Sequence, residues 1–200
     1  MRKRETINLT ITAIFTAILL LQTLVPNIGY IHLLPGLPAI TTVPLTVALY
    51  ASLMGIKAGS LFGLFWGITR LIMAYLQPTD MVTILLFQNP LIAIVPRFFA
   101  GFIAAVVEKI MSNKNEKLAA FFTGFLTSFT NTALVIGLAS LVFIHNPASL
   151  TKYLNISSSS QPLILVLIGA LGINGLVEMV FTGVLTPIIL PALKIVRKKI

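Results

Sequence analysis

The stretch QNPLIAIVPRFFAGFIAAVVE, residues 88–108, decides how this chain is read. It is apolar and about as long as a membrane-crossing helix, since ~20 residues at about 1.5 Å each span a hydrocarbon core of about 30 Å. Pro96 and Arg97 nevertheless sit inside it. An arginine at the centre of a membrane helix costs about 2.5–3.5 kcal/mol on the translocon scale. Such a residue faces a protein interior or a wet cavity, and it marks either a functional site or a structural ion pair.

The surrounding composition agrees with a membrane reading. The 200 residues are 57% hydrophobic and 10% charged, where soluble domains carry roughly 25% charged residues. Mean hydropathy is +1.00. The apolar residues come in long runs, which predicts an all-α polytopic membrane protein. A transmembrane barrel would instead show segments of about ten residues with alternating polarity.

The net charge of +9 does not point to nucleic acid, because no basic face is interleaved with aromatics. The cations cluster at the two termini and around residues 109–117. There is no cysteine, which excludes disulfides and thiolate metal sites. MRKRE followed by an apolar run resembles a signal peptide, but no A-x-A-like cleavage site follows, so the run is expected to be an uncleaved first span.

Outward from residues 88–107, six spans are expected within a single membrane domain covering 1–200: about 6–24, 40–54, 58–76, 88–107, 118–143 and 162–190. Residues 26–38, PNIGYIHLLPGLP, form an apolar loop rich in proline and glycine. Tyr30 and His32 lie in it, as interfacial anchors or as parts of a lid. Gly59, Gly63 and Gly67, four residues apart, allow two helices to approach closely. Residues 81–87 are expected to lead into the fourth span. Pro187 and Pro191 are expected to kink or end the last one. With six spans both termini share a side. Eleven of the fourteen Lys and Arg fall on that side, two lie within spans, and only Lys152 falls opposite. By the positive-inside rule, the termini are cytoplasmic.

With the loop charges set aside, Arg70, Arg97 and Glu178 are the ionisable residues within spans, and Asn131 and Asn174 are the strongest neutral hydrogen-bonders there. At about 1.5 Å per residue, Arg70 and Asn131 lie roughly 20 Å from the cytoplasmic ends of their spans. Arg97 and Asn174 lie roughly 14 and 18 Å below the outer ends of theirs. The four therefore converge in the middle and outer half of the bilayer. Glu178 is one turn from Asn174 on the same face. One reading is a structural network in which Glu178 neutralises an arginine. The other is a solute pocket, for which two arginines against one glutamate favour a small anion. Trp66, one turn before Arg70, then supplies an apolar wall.

Enzyme chemistry finds little support. The two histidines lie in loops, and Asp80 is the sole aspartate. HExxH, GxSxG with a partner histidine and the Walker GxxxxGK[ST] pattern are all absent. No cofactor and no metal are expected, and any ATP coupling must come from partners. A stand-alone facilitator remains an alternative.

Four features give a resemblance to a known family. Ala13-Ile14-Phe15-Thr16-Ala17 is similar to an Ala-x-x-x-Ala motif. The loop 26–38 lies where a gating loop would. Pro96-Arg97-Phe98-Phe99-Ala100-Gly101 and Thr130-Asn131-Thr132 resemble fourth- and fifth-helix patterns. With the length and topology, the chain resembles the substrate-binding (S) component of energy-coupling factor (ECF) vitamin transporters, and most of all the pantothenate-specific branch. Folate, riboflavin or a hydroxymethylpyrimidine are the other cargoes of this kind.

The resemblance implies a multi-pass protein of the bacterial plasma membrane that binds a vitamin from outside. It implies partnership with a membrane coupling subunit and two cytoplasmic ATPases. Ala13 and Ala17 would dock on the coupling subunit, Tyr30 and His32 would belong to the lid, and Trp66, Arg70, Arg97, Asn131 and Asn174, with Glu178 beside them, would line the pocket.

Overall fold

The computed structural model describes residues 2–25, 28–31, 40–78, 83–144 and 163–199. Among them are six α-helices: α1 (Arg2–Leu24), α2 (Val43–Met54), α3 (Ile56–Leu76), α4 (Pro90–Met111), α5 (Glu116–Val142) and α6 (Leu163–Lys199). Five are long and apolar enough to cross a membrane, and α2, with 12 residues, is the exception. The chain is a multi-pass membrane protein.

Local chemistry sets the helix ends. Asn89 caps α4, its Oδ1 accepting from Leu91 N–H at 3.0 Å, and Pro90 fills the first-turn position where a missing N–H is harmless. Asn115 caps α5 in the same way, accepting from the N–H groups of Lys117 and Leu118 at 3.1 Å. Gly55, with φ of 86°, makes the turn from α2 into α3, a backbone conformation that glycine adopts without strain.

The short α2 is the centre of the bundle. Ten of its 12 residues are buried, and it touches each of the other five helices. Around it α3, α4, α5 and α6 pack as successive neighbours. α1 lies outermost, on α2 and α3. Its stripe of Ile11, Phe15 and Leu19, spaced by four, packs on the core with Phe15 and Leu19 buried and Ile11 half-buried, while Leu9, Ile14, Ile18 and Leu21 are exposed. Thr12 and Tyr50 hydroxyls, 3.0 Å apart, tie α1 to α2.

Several expected boundaries move. Ile40 and Thr41 belong to no helix. They form a two-residue strand, β2, paired antiparallel with β1 (Tyr30–Ile31), so the second helix begins at Val43. Residues Thr83–Phe87 form a π-helical turn, and α4 starts at Pro90 rather than at 88. The largest correction concerns α6. It runs 37 residues, through Pro187 and Pro191, and takes up the basic terminus as helix. Each proline deletes one backbone donor but fixes φ near the helical value. Leu190 between them is buried, with Ile189 and Leu193 packed against the same core, so side-chain packing holds the turn. Of the loop 26–38, only residues 28–31 are described. His32, Asp80 and the loop 145–161 lie outside the described residues.

Candidate functional site

Two apolar clusters divide the bundle. One joins Phe15, Leu19, Tyr50, Phe62 and Trp66 to Ala120 and Leu190, toward the Gly55 end of the bundle. The other joins Leu86, Ile92, Val135, Ile136, Ala139 and Leu167 at the opposite end, with Phe87 packed against it. By helix position, the polar residues Arg70, Arg97, Asn131, Asn174 and Glu178 fall between the two.

The glycine stripe brings α3 to α4. A Cβ at Gly63 would strike the carbonyl oxygen of Arg97, one at Gly67 would lie 2.8 Å from Ile94 Cα, and one at Gly59 would lie 2.9 Å from Gly101 O. The spacing legible in sequence thus finds its partner in α4. This contact places Trp66 and Arg70 beside Arg97. On the other side, Gly175 of α6 sits against Thr132 of α5, next to Asn131 and Asn174.

Arg97 is 4% exposed. Its Nη1 donates to the carbonyl of Ile92 at 2.7 Å. Its Cζ lies 5.4 Å from the Trp66 ring centroid and 4.6 Å from that of Phe87. Arg70 Cζ lies 4.7 Å from the same Phe87 ring. One phenyl ring therefore holds two guanidinium groups, each attracted by its π electrons.

Glu178, 4% exposed, joins neither arginine in an ion pair among the described residues. Its Oε1 accepts the Thr41 N–H at 2.9 Å and the Asn174 amide at 3.4 Å. Arg97 is still near enough for its charge to act on Glu178 through space. Asn174 is half-buried. Asn131 is 8% exposed, and its Oδ1 has no hydrogen-bond partner among the described residues. A buried carbonyl-type oxygen without a partner is costly, and a ligand hydroxyl or amide N–H would satisfy it.

Three groups were missed in the sequence. Phe87 carried no signal, because only the π turn before α4 brings its ring to both arginines. Gln22 was visible as a polar residue in an apolar run. Its Nε2 donates to Thr42 Oγ1 and its Oε1 accepts from Thr46 Oγ1, both at 2.9 Å, which clasps α1 to α2. Glu108 is buried in α4, and Lys194 reaches it at 2.7 Å and Glu116 at 2.8 Å. Thr123 Oγ1 also donates to Glu108, at 3.3 Å. This second charged cluster lies at the end of the bundle that holds both termini. There Arg197 bonds the carbonyl of Leu53 and, at 3.3 Å, Asn8 Oδ1.

Of the remaining expected residues, His32 lies outside the described residues. Tyr30 enters through its backbone in β1. Ala13 and Ala17 are exposed on the outer face of α1. Among the described residues no group of three His, Cys, Asp or Glu side chains could hold a metal ion.

Comparison with known proteins is consistent along the chain. Residues 8–190 match the family described as "ECF transporter, substrate-specific component". The pantothenate transporter PanT of Leuconostoc mesenteroides is 33% identical over 189 residues, which is 92% of this chain and 90% of that protein. The pantothenic acid transporter PanT of Lactococcus lactis is 28% identical over 208 residues, covering 96% of each.

Proposed function

The chain belongs to the substrate-specific component family of ECF transporters, and on that premise we propose that its cargo is pantothenate, captured in the polar layer between the two apolar clusters. The observation that carries the anionic part of this reading is the pair of guanidinium groups that meet at one aromatic ring, those of Arg70 and Arg97 at Phe87. A carboxylate met by an arginine forms a charge-assisted bond, the strongest kind of polar contact available to a small solute. Arg97 takes this role, because its ring and carbonyl contacts orient it in advance. Asn131 Oδ1 accepts from a ligand hydroxyl or amide N–H, Asn174 and Glu178 complete the polar side, and Trp66 faces the geminal methyls. The two PanT relatives supply the choice among anions.

The rest of the transport reading follows from the family. Residues 1–200 act as one membrane domain with six crossings, and the cationic side, with both termini, faces the cytoplasm. Tyr30 and His32 belong to the lid. ATP hydrolysis resides on two cytoplasmic ATPases, joined to this subunit through a membrane coupling protein in the bacterial plasma membrane. The exposed small-residue face of α1, Ala13 and Ala17, suits that docking, because small residues let helix backbones approach closely.

Calorimetry on the purified protein tests the cargo. Saturable heat with pantothenate in the absence of ATP is expected. Heat with folate or riboflavin and none with pantothenate would discard the cargo and leave the family standing. For the docking face, Ala13→Trp is expected to bind cargo normally and to lose the coupling subunit on co-purification. Retained assembly would reduce the motif to packing within the bundle.

A further inference from the structure

We propose that Pro96 is a positioning residue for the ligand-binding arginine: by withholding a backbone N–H it leaves the Ile92 carbonyl for the Arg97 guanidinium, which is thereby aimed between Trp66 and Phe87. The inference rests on the reading that Arg97 meets the carboxylate of the cargo.

In an α-helix the N–H of each residue bonds the carbonyl four positions earlier. Residue 96 would serve Ile92, and proline has no N–H to give. Ile92 is fully buried, so bulk water does not reach its carbonyl. In a membrane protein such an orphan must be satisfied from within. Arg97 does so, with Nη1 at 2.7 Å.

The geometry follows from helix stereochemistry. A helical side chain leans toward the N-terminal end and covers the turn before its own Cα. A side chain at 97 therefore lies over residues 93–94, and arginine is long enough to reach one residue further back, onto the freed oxygen of Ile92. Gly63 pins the backbone at the root of this side chain by packing on the Arg97 carbonyl. The guanidinium is thus oriented by a carbonyl and two rings. A proline that only bent α4 would not need an arginine as its immediate successor.

The test uses the full-length purified protein and pantothenate as the probe. Pro96→Ala restores the N–H, which competes with Arg97 for Ile92. Pantothenate affinity is expected to fall tenfold or more, while the melting temperature holds or rises, because proline is the poorest residue for a helix interior. Pro96→Leu also carries an N–H and serves if the alanine variant does not fold.

Wild-type affinity in a folded Pro96 variant, with binding lost in Arg97→Ala, overturns the inference and leaves the cargo reading intact. Wild-type affinity in Arg97→Ala as well removes Arg97 from the site, and the inference with it. A fall in affinity that comes with a lower melting temperature, or failure of both variants to fold, makes the proline structural and overturns the positioning role.

Discussion

Among the described residues charge is buried in two places and treated differently. At the end that holds the termini, Lys194 sits between Glu108 and Glu116 at 2.7 and 2.8 Å, so cation is answered by anion across α4, α5 and α6. In the polar layer, Arg97 is held by the carbonyl of Ile92 and by the rings of Trp66 and Phe87. Glu178 accepts from the Thr41 N–H and the Asn174 amide. Ion pairs lock helices to each other. Contacts to a carbonyl and to aromatic rings orient a charge. The contrast sets a charged brace apart from the proposed binding layer.

The largest expected effect is on the binding side. Arg97→Ala should weaken pantothenate by about 2–5 kcal/mol, the range for truncating one partner of a buried charged contact, or about 30-fold to several thousandfold. Calorimetry reads this, and affinity within a factor of three of wild type would make Arg97 a second brace.

Next, Glu108→Gln removes the buried half of the ion-pair cluster. Breaking a fully buried pair costs about 3–5 kcal/mol. Lys194 keeps Glu116 and some solvent, so a stability loss of about 2–3 kcal/mol is expected. Cargo affinity should be unchanged, and a parallel fall in affinity would show that the two regions are coupled.

Gly63→Ala tests the seam on which Arg97 rests. Its Cβ meets the Arg97 carbonyl, and overpacking of this kind costs about 1–3 kcal/mol. Both melting temperature and affinity should fall, and loss of stability alone would uncouple the seam from the site. The smallest effect belongs to Glu116→Gln. Its side chain is 60% exposed, so a change of less than about 1 kcal/mol is expected. A larger loss in thermal melts would make Glu116, rather than Glu108, the principal anion of the brace.

Legibility in the sequence followed the range of each interaction. Helices show themselves through long apolar runs, so all six described helices were anticipated within a few residues, apart from the C-terminal extension of α6. Gly59, Gly63 and Gly67 announced a close helix contact through their spacing, but not that Ala93, Ile94 and Gly101 would meet them. Pro187 and Pro191 do not end the helix, because a local breaker is outweighed by burial of Leu190. Within the site, polar residues stood out against an apolar background, and the structure sets Trp66 and Arg97 in ring contact. Phe87 is one phenylalanine among thirteen, and only its place on a π turn distinguishes it. Lys194 and Glu108 are 86 residues apart, a separation no local pattern reports.

The brevity of α2 has a consequence for hydration. Twelve residues reach about 18 Å, so a helix that starts at the Gly55 turn stops roughly 12 Å short of the far side of a hydrocarbon core about 30 Å thick. The backbone of Thr41 and Thr42 begins there, at the depth of Glu178, to which the Thr41 amide is bonded. Acyl chains cannot solvate extended backbone, which is tolerated at that depth only when walled by protein or facing water. The backbone of Thr41 and Thr42 is therefore kept from acyl chains, by protein or by water, at the depth where Glu178 lies.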